Sequence, residues 1–181
     1  KDEFKIIAAV DCTGHGVTGA LMSMIGHNLL NQIVFEKGIT QADEILKALD
    51  ELVRNSLKQV SGSSLDTTDG MDLALCVYNE NTSKLYFSGA FRPLYHIRSG
   101  ELNTFDGDKY PIGGGRHMDK KEFTTKEIEI QKGDSVYIFS DGYVDQFGGP
   151  KGKKFMAKKL RDLLLEIQNE PMQSKYNQIK Q

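Results

Sequence analysis

Tryptophan is absent from this 181-residue chain, proline occurs only 4 times and cysteine only 2 times. Two cysteines cannot build a disulfide scaffold. Cys12 and Cys76 sit in apolar runs without metal-ligand spacing, which suits a reducing compartment and no zinc site. No stretch approaches the roughly 20 apolar residues that span a bilayer, and the first residues lack the basic-then-apolar build of a signal peptide. A charge of one sign is missing too: 23 Lys+Arg stand against 25 Asp+Glu, a net charge of -2. That balance leaves no basic field for nucleic acid or anionic lipid, and no acidic tail. With no repeat, no low-complexity tract, 39% hydrophobic residues and 18 glycines, the expectation is one globular domain over residues 1–181. The chain opens almost directly on an apolar run, with no room for a preceding turn, and so reads as cut from something longer.

Residues 4–10 form a nearly all-apolar run stopped by Asp11, which predicts a strand buried on both faces. After the loop Cys12-Thr13-Gly14-His15-Gly16, apolar residues recur at Leu21, Met24, Ile25, Leu29, Ile33 and Val34. This spacing predicts a helix over 17–35 that Gly38 ends. Thr40 with Asp43 has the form of a capping box for a second helix over 40–57, whose inward face is Ile45, Leu49, Leu52, Val53 and Ser56. Residues 61–70 are polar and turn-rich and predict a mobile loop. The period then changes from helix to strand. Residues 73–78 and 85–87 flank a turn, residues 94–98 and 101–105 flank Ser99-Gly100, and residues 126–131 and 136–139 flank Lys132-Gly133-Asp134, predicting three hairpins. Ala157, Leu160, Leu163, Leu164 and Ile167 mark a helix stopped before Pro171, and a polar helical tail follows. Short turns between successive strands, with helices bunched at both ends of the strand block, predict an α+β fold with antiparallel sheets.

Two acidic residues end apolar strands. Asp11 precedes the glycine-bearing loop, and Ser140-Asp141-Gly142 follows residues 136–139, with Asp145 four residues later. Carboxylates from two strand ends that meet at one sheet edge repel and raise each other's pKa, so such a pair holds either a proton or a cation. Hard oxygen ligands without a Cys/His cluster favour Mg²⁺ or Mn²⁺. The chemistry is metal-activated water, with two ions about 3.5–4 Å apart lowering the pKa of bound water and neutralising a phosphoryl group under attack. The string Gly14-His15-Gly16-Val17-Thr18-Gly19 also satisfies G-x-G-x-x-G. A dinucleotide site needs a parallel strand after its helix and an acidic residue about 20 positions on. A second helix follows instead and Glu36 lies at a helix end, so NAD or ATP binding there is the weaker reading. Asp69-Gly70 and Asp106-Gly107-Asp108 read as turns, His27 and His96 as partly buried structural residues, and Lys151-Gly152-Lys153-Lys154 as a solvated turn.

At these residues the chain resembles the bacterial SpoIIE/RsbU-type branch of PP2C-like (PPM) serine/threonine phosphatases. The matching pieces run in family order: Asp11 to Ala20, Asp69 to Leu75, Pro93-Leu94-Tyr95, Pro111-Ile112-Gly113-Gly114, and Ser140 to Gly149. The resemblance implies a four-layer α-β-β-α sandwich with two antiparallel sheets and two Mn²⁺ or Mg²⁺ ions at one end. Asp11 would bridge both ions, the Cys12 backbone carbonyl would bind one and Asp141 the other. Asp145 would serve a weaker third ion or a water, and Gly14 and Gly16 would let backbone approach metal and phosphate. His15 lies four residues after Asp11, not two as in the related eukaryotic pattern, so the proton donor stays open. Phe91-Arg92 stands where the family commonly has small polar residues. The family's upstream Asp and its final Asp-Asp pair fall outside this sequence, which implies a domain incomplete at both edges that binds metal weakly and turns over poorly. The implied substrate is a phosphorylated STAS-type anti-anti-sigma protein, and the implied setting is a cytoplasmic output domain behind an N-terminal sensor, including that of a membrane sensor. The alternative is a non-catalytic module that docks the same partner.

Overall fold

The computed structural model describes residues 3–58, 69–114, 121–148 and 152–180. Strand β1 (Phe4–Cys12) is followed by helix α1 (Gly16–Asn31), a π-helical turn (Gln32–Glu36) and α2 (Ala42–Ser56). Seven strands come next: β2 (Gly70–Asn79), β3 (Lys84–Ala90), β4 (Leu94–Arg98), β5 (Glu101–Phe105), β6 (Ile112–Gly113), β7 (Lys126–Glu129) and β8 (Ser135–Ile138). The short β9 (Phe147–Gly148) and β10 (Lys153–Lys154), α3 (Met156–Glu166) and α4 (Met172–Ile179) complete the order. One antiparallel sheet runs β1-β2-β3-β7 with β6 against the start of β2, a second runs β5-β4-β8, and β9 pairs with β10.

Strand alternation sorts the apolar residues into three cores. Leu73, Leu75 and Val77 of β2 pack with Ile45, Leu49 and Val53 of α2. Their neighbours Ala74 and Cys76 point the other way, into a core shared with Phe87 of β3 and Leu94 of β4. On the far side of the second sheet, Tyr95 and Ile97 pack with Leu160 and Leu164 of α3. Successive side chains of a strand take opposite faces, so one strand can serve a helix layer and a sheet layer at once. The layers are therefore helix, sheet, sheet, helix, as the family resemblance implies.

Several local expectations are corrected. β1 is an edge strand, not one buried on both faces: Ile7 is 60% exposed and only alternate residues such as Phe4, Ile6 and Cys12 reach the helix-side core. Of the residues expected inward over 17–35, Ile25, Leu29, Ile33 and Val34 do pack on the helix-side core, with Met22 and Gly26 buried as well, whereas Leu21 and Met24 point outward. The helix seats closely on β2 at Gly26, where a Cβ would lie 3.0 Å from the Met71 terminal methyl. Thr40 does not cap α2. The Asp43 N–H donates to the Thr125 hydroxyl at 3.0 Å, so the cap comes from 82 residues away. The third predicted hairpin does not form, because β7 pairs with β3 and β8 pairs with β4 in the other sheet. Alternation along 126–131 and 136–139 set the side-chain faces but not the partner strand. His27 is exposed rather than partly buried. Of the expected mobile loop, residues 61–68 lie outside the described residues; Asp69 and Gly70 are described, and Gly70 begins β2.

Candidate functional site

Asp11 stands directly opposite Asp72 in the β1–β2 register. Opposed residues of an antiparallel pair have Cβ atoms about 4.5–5.5 Å apart, so this places two carboxylates side by side. Both belong to the face that looks toward the second sheet, since Cys12 and Met71, one position away in each strand, pack on the helix side. Asp141 arrives from that second sheet, just beyond the end of β8. The two acids predicted to share one sheet edge thus come from facing sheets and meet at the end of the sandwich. The Asp141 carboxylate lies near enough to Asp11 for its charge to be felt there.

Arg92 enters between them from the β3–β4 crossover. One guanidinium nitrogen, Nη2, donates to Asp72 Oδ2 at 2.5 Å and to Asp141 Oδ2 at 2.7 Å. Its backbone is forced into place. The preceding Phe91 has φ +61°, a left-handed conformation costing a bulky residue on the order of 1–3 kcal/mol. A Cβ on Gly89 would fall 2.4 Å from the Arg92 carbonyl oxygen, so the crossover packs backbone on backbone there.

Burial, and then the nearby charge of Asp141, push the Asp11 carboxyl above the usual range. Asp72 is raised by burial, partly offset by Arg92. Burial lowers the Arg92 pKa, but its hydrogen bonds and attraction to Asp141 and Asp72 outweigh this and hold it above its ordinary value. Two carboxylates, Asp72 and Asp141, therefore share one guanidinium, and Asp11 feels its charge without a bond to it. Hard, anionic oxygens gathered about a single positive group fit a divalent cation of the Mg²⁺ or Mn²⁺ kind. Among the described residues, no three His, Cys, Asp or Glu side chains are drawn together closely enough to cage an ion; the carboxylates turn to Arg92.

The other predicted residues divide. Thr13 anchors the loop after β1: its N–H donates to the Gly70 carbonyl at 2.9 Å, and its hydroxyl accepts the Gly70 N–H at 2.9 Å. Gly14 (φ +90°) and Gly16 (φ +62°) then turn the chain into α1. Cys12 is paired with Met71 and its thiol approaches Ser23 of α1, with burial raising its pKa. Asp145 donates its N–H to the Asp141 carbonyl at 2.9 Å, but its carboxylate pairs with Lys154 at 2.9 Å rather than with Asp11 or Arg92. His96, read as structural, is buried and bonded to Asp134 at 2.9 Å. Asp72 and Arg92 are the site residues that sequence reasoning missed. The signals were a lone acid entering the apolar 73–78 run and a lone cation beside Pro93.

Comparison with known proteins follows the same lines. The SiaA-PP2C domain of Pseudomonas aeruginosa matches with a TM-score of 0.83 at 26% identity, over 97% of this chain and 69% of that one. The PP2C phosphatase domain of SpoIIE from Bacillus subtilis, solved with a fragment of its regulatory domain, gives 0.73 at 17% identity over 98% of this chain and 48% of that one. The RsbU and RsbW domains of a Mycobacterium tuberculosis protein give 0.71 at 18% identity, over 98% and 46%. No match is found among curated proteins. The family pattern of Stage II sporulation protein E (SpoIIE) matches residues 3–181, and the chain belongs to that family, with the fold of a PP2C-type phosphatase domain.

Proposed function

We propose that this domain hydrolyses phosphoserine or phosphothreonine on a signalling protein. The observation that carries the reading is the convergence of Asp11 and Asp141 from facing sheets, with Asp72 and Arg92 between them. Asp11, the Cys12 carbonyl and Asp141 would hold two Mn²⁺ or Mg²⁺ ions, with Asp145 serving a peripheral ion or water once released from Lys154. When bound, such ions supply an activated water and offset phosphoryl charge. Arg92 is the side chain placed to meet a phosphoryl oxygen, because a planar guanidinium matches phosphate as well as carboxylate. Asp72 aims it. Gly14 and Gly16 let the loop after β1 approach the phosphate.

The partner in this reading is a phosphorylated STAS-type anti-anti-sigma protein, and the control element is a sensor domain N-terminal to the phosphatase in the parent protein. Solved relatives with RsbU and RsbW domains support a regulatory setting. Free thiols at Cys12 and Cys76 support a cytoplasmic one, and no helix among the described residues is long and apolar enough to cross a membrane. The test is Mn²⁺-dependent phosphate release from such a phosphoprotein. Asp141→Asn should abolish turnover and leave partner binding intact, and unchanged turnover would reject the enzyme. A second reading, a non-catalytic docking module, is favoured by the guanidinium seated among the carboxylates. Tight partner binding without turnover at saturating Mn²⁺ would establish it.

A further inference from the structure

A groove of about 730 Å³ is formed by the loop after Asp141, the β9–β10 ribbon and helices α3 and α4. Its size falls within the range of ligand-binding clefts. The walls are aromatic: Tyr143, Phe147, Phe155 and Tyr176. The rim is cationic, with Lys153, Lys159 and Lys180, and among the described residues no Asp or Glu lines it. Lys159 lies over the Phe155 ring and Lys180 over the Tyr176 ring, each 5.8 Å from the centroid. Phe147 is 73% and Tyr176 56% exposed, so large apolar surface stands open to solvent under positive charge. A protein of net charge -2 has spent three of its lysines on one groove.

We infer that this groove docks an acidic segment of a protein partner, with one aromatic or aliphatic side chain of that segment inserted between Tyr143 and Tyr176 and its carboxylates meeting Lys159 and Lys180. Charge complementarity selects the acid, and the ring walls select the anchor. The placement deepens the proposed function, on which this last step rests. Tyr143 is two residues beyond Asp141, and the Tyr143 hydroxyl donates to the Ile179 carbonyl at 2.8 Å, tying the groove's α4 wall to the Asp141 loop. An extended peptide advances about 3.3–3.6 Å per residue, so a segment seated here carries its flanking residues, a phosphorylated one among them, along the Asp141 loop. The segment is then part of the phosphoprotein substrate.

The experiment measures fluorescence anisotropy of a labelled Glu/Asp-rich peptide with a central Phe-Leu pair, bound to the full chain without divalent ion. Binding should weaken with added salt, and at least about tenfold in Lys159→Glu/Lys180→Glu and in Tyr176→Ala. The same peptide with Ser-Ser in place of Phe-Leu should bind at least about tenfold more weakly. Matching thermal melts establish that the variants fold, and Lys159→Gln, with its smaller charge change, should fall between wild type and the reversal. Equal affinity across these proteins, equal affinity for the anchorless peptide, or no binding to wild type overturns the docking site. A nucleoside triphosphate that binds in the peptide's place, with the peptide failing, overturns it as well. Because peptide and buffer contain neither phosphate ester nor metal, failure here leaves the phosphatase reading standing. A phosphatase failure with the peptide still bound sinks the catalytic reading alone.

Discussion

The Arg92 guanidinium donates to the Asp141 carboxylate at 2.7 Å across 49 residues of sequence, and joins the β3–β4 crossover to the loop that leaves β8. The same nitrogen also holds Asp72, so a cation entering this site must compete with a resident one.

Removing the competitor should therefore tighten metal binding. Hydrogen bonds to charged groups contribute about 1.5–3 kcal/mol, and Asp141 is 46% exposed, which favours the low end of that range. Arg92→Gln is expected to bind Mn²⁺ about tenfold more tightly by isothermal titration calorimetry. If Arg92 also meets the phosphoryl group, KM for the phosphoprotein should rise in the same variant. Weaker Mn²⁺ binding would show that Arg92 supports the metal site instead of opposing it.

Asp134 gives the fold an acid limit. Its buried carboxylate accepts from Arg98 Nε at 3.0 Å and Nη2 at 2.7 Å, from His96 at 2.9 Å and from the Gln131 N–H at 2.9 Å. The Arg98 bonds first, and the remaining donors after them, hold it well below the usual carboxylate range despite burial. An unfolded Asp titrates near about 3.9. A depressed folded pKa adds stability that is complete above that value and is lost as pH falls toward the folded one. Urea unfolding of wild type and Asp134→Asn should differ most near neutral pH, and the difference should shrink as pH drops below about 4. A gap that stays constant through the acid range would rule this out.

Much of this architecture was legible because the strand block has the right period. Odd and even residues of β2 alternate between two cores, and Ser99 (φ +50°) with Gly100 (φ +88°) makes the β4–β5 turn as expected. Asp11 and Asp141 were legible as acids that end apolar strands. Asp72 was not, because its meaning depends on lying opposite Asp11, and register is a property of two strands. Arg92 was not, because it acts through a crossover between sheets. β1 misled for a related reason: a run that is apolar at every position hides which face the edge leaves open, and Ile7 looks the same in either case. The Asp134 turn misled because a tight turn between alternating segments can close a hairpin or carry the chain from one sheet to the next.

Asp50 ties α2 to the loop beside β2. Its Oδ1 accepts from the Gly113 N–H at 2.8 Å and from Lys121 Nζ at 2.8 Å, and its Oδ2 accepts from Arg54 Nε at 2.9 Å. Lys121 also donates to the carbonyls of Pro111 and Gly113, and its side chain is only 2% exposed. Breaking a buried pair strands the other charge, at a cost of about 3–5 kcal/mol. Asp50→Ala should lose about that much in urea unfolding, and Asp50→Ala/Lys121→Met should recover part of it. A loss below about 1 kcal/mol would mean that water reaches Lys121 and the pair is not buried in solution.

The glycine loop offers a substitution whose expected sign reverses the general rule. Gly19 lies in the first turn of α1, where alanine ordinarily stabilises a helix by about 0.5–1 kcal/mol. A Cβ there would fall 2.8 Å from the Gly14 carbonyl oxygen and 3.1 Å from its carbon, both backbone atoms of the loop that follows Asp11. The helix must draw back or the loop must move. Gly19→Ala should therefore destabilise by about 1–3 kcal/mol, the usual cost of overpacking, and should weaken Mn²⁺ binding because Asp11 moves with the loop. Gly16→Ala is the control: nothing lies within 4 Å of its added Cβ, so only the strain of its positive φ is felt, about 1–2 kcal/mol, with Mn²⁺ affinity retained. If Gly19→Ala is as stable as wild type and binds Mn²⁺ equally well, the contact between α1 and the Gly14 carbonyl does not position Asp11.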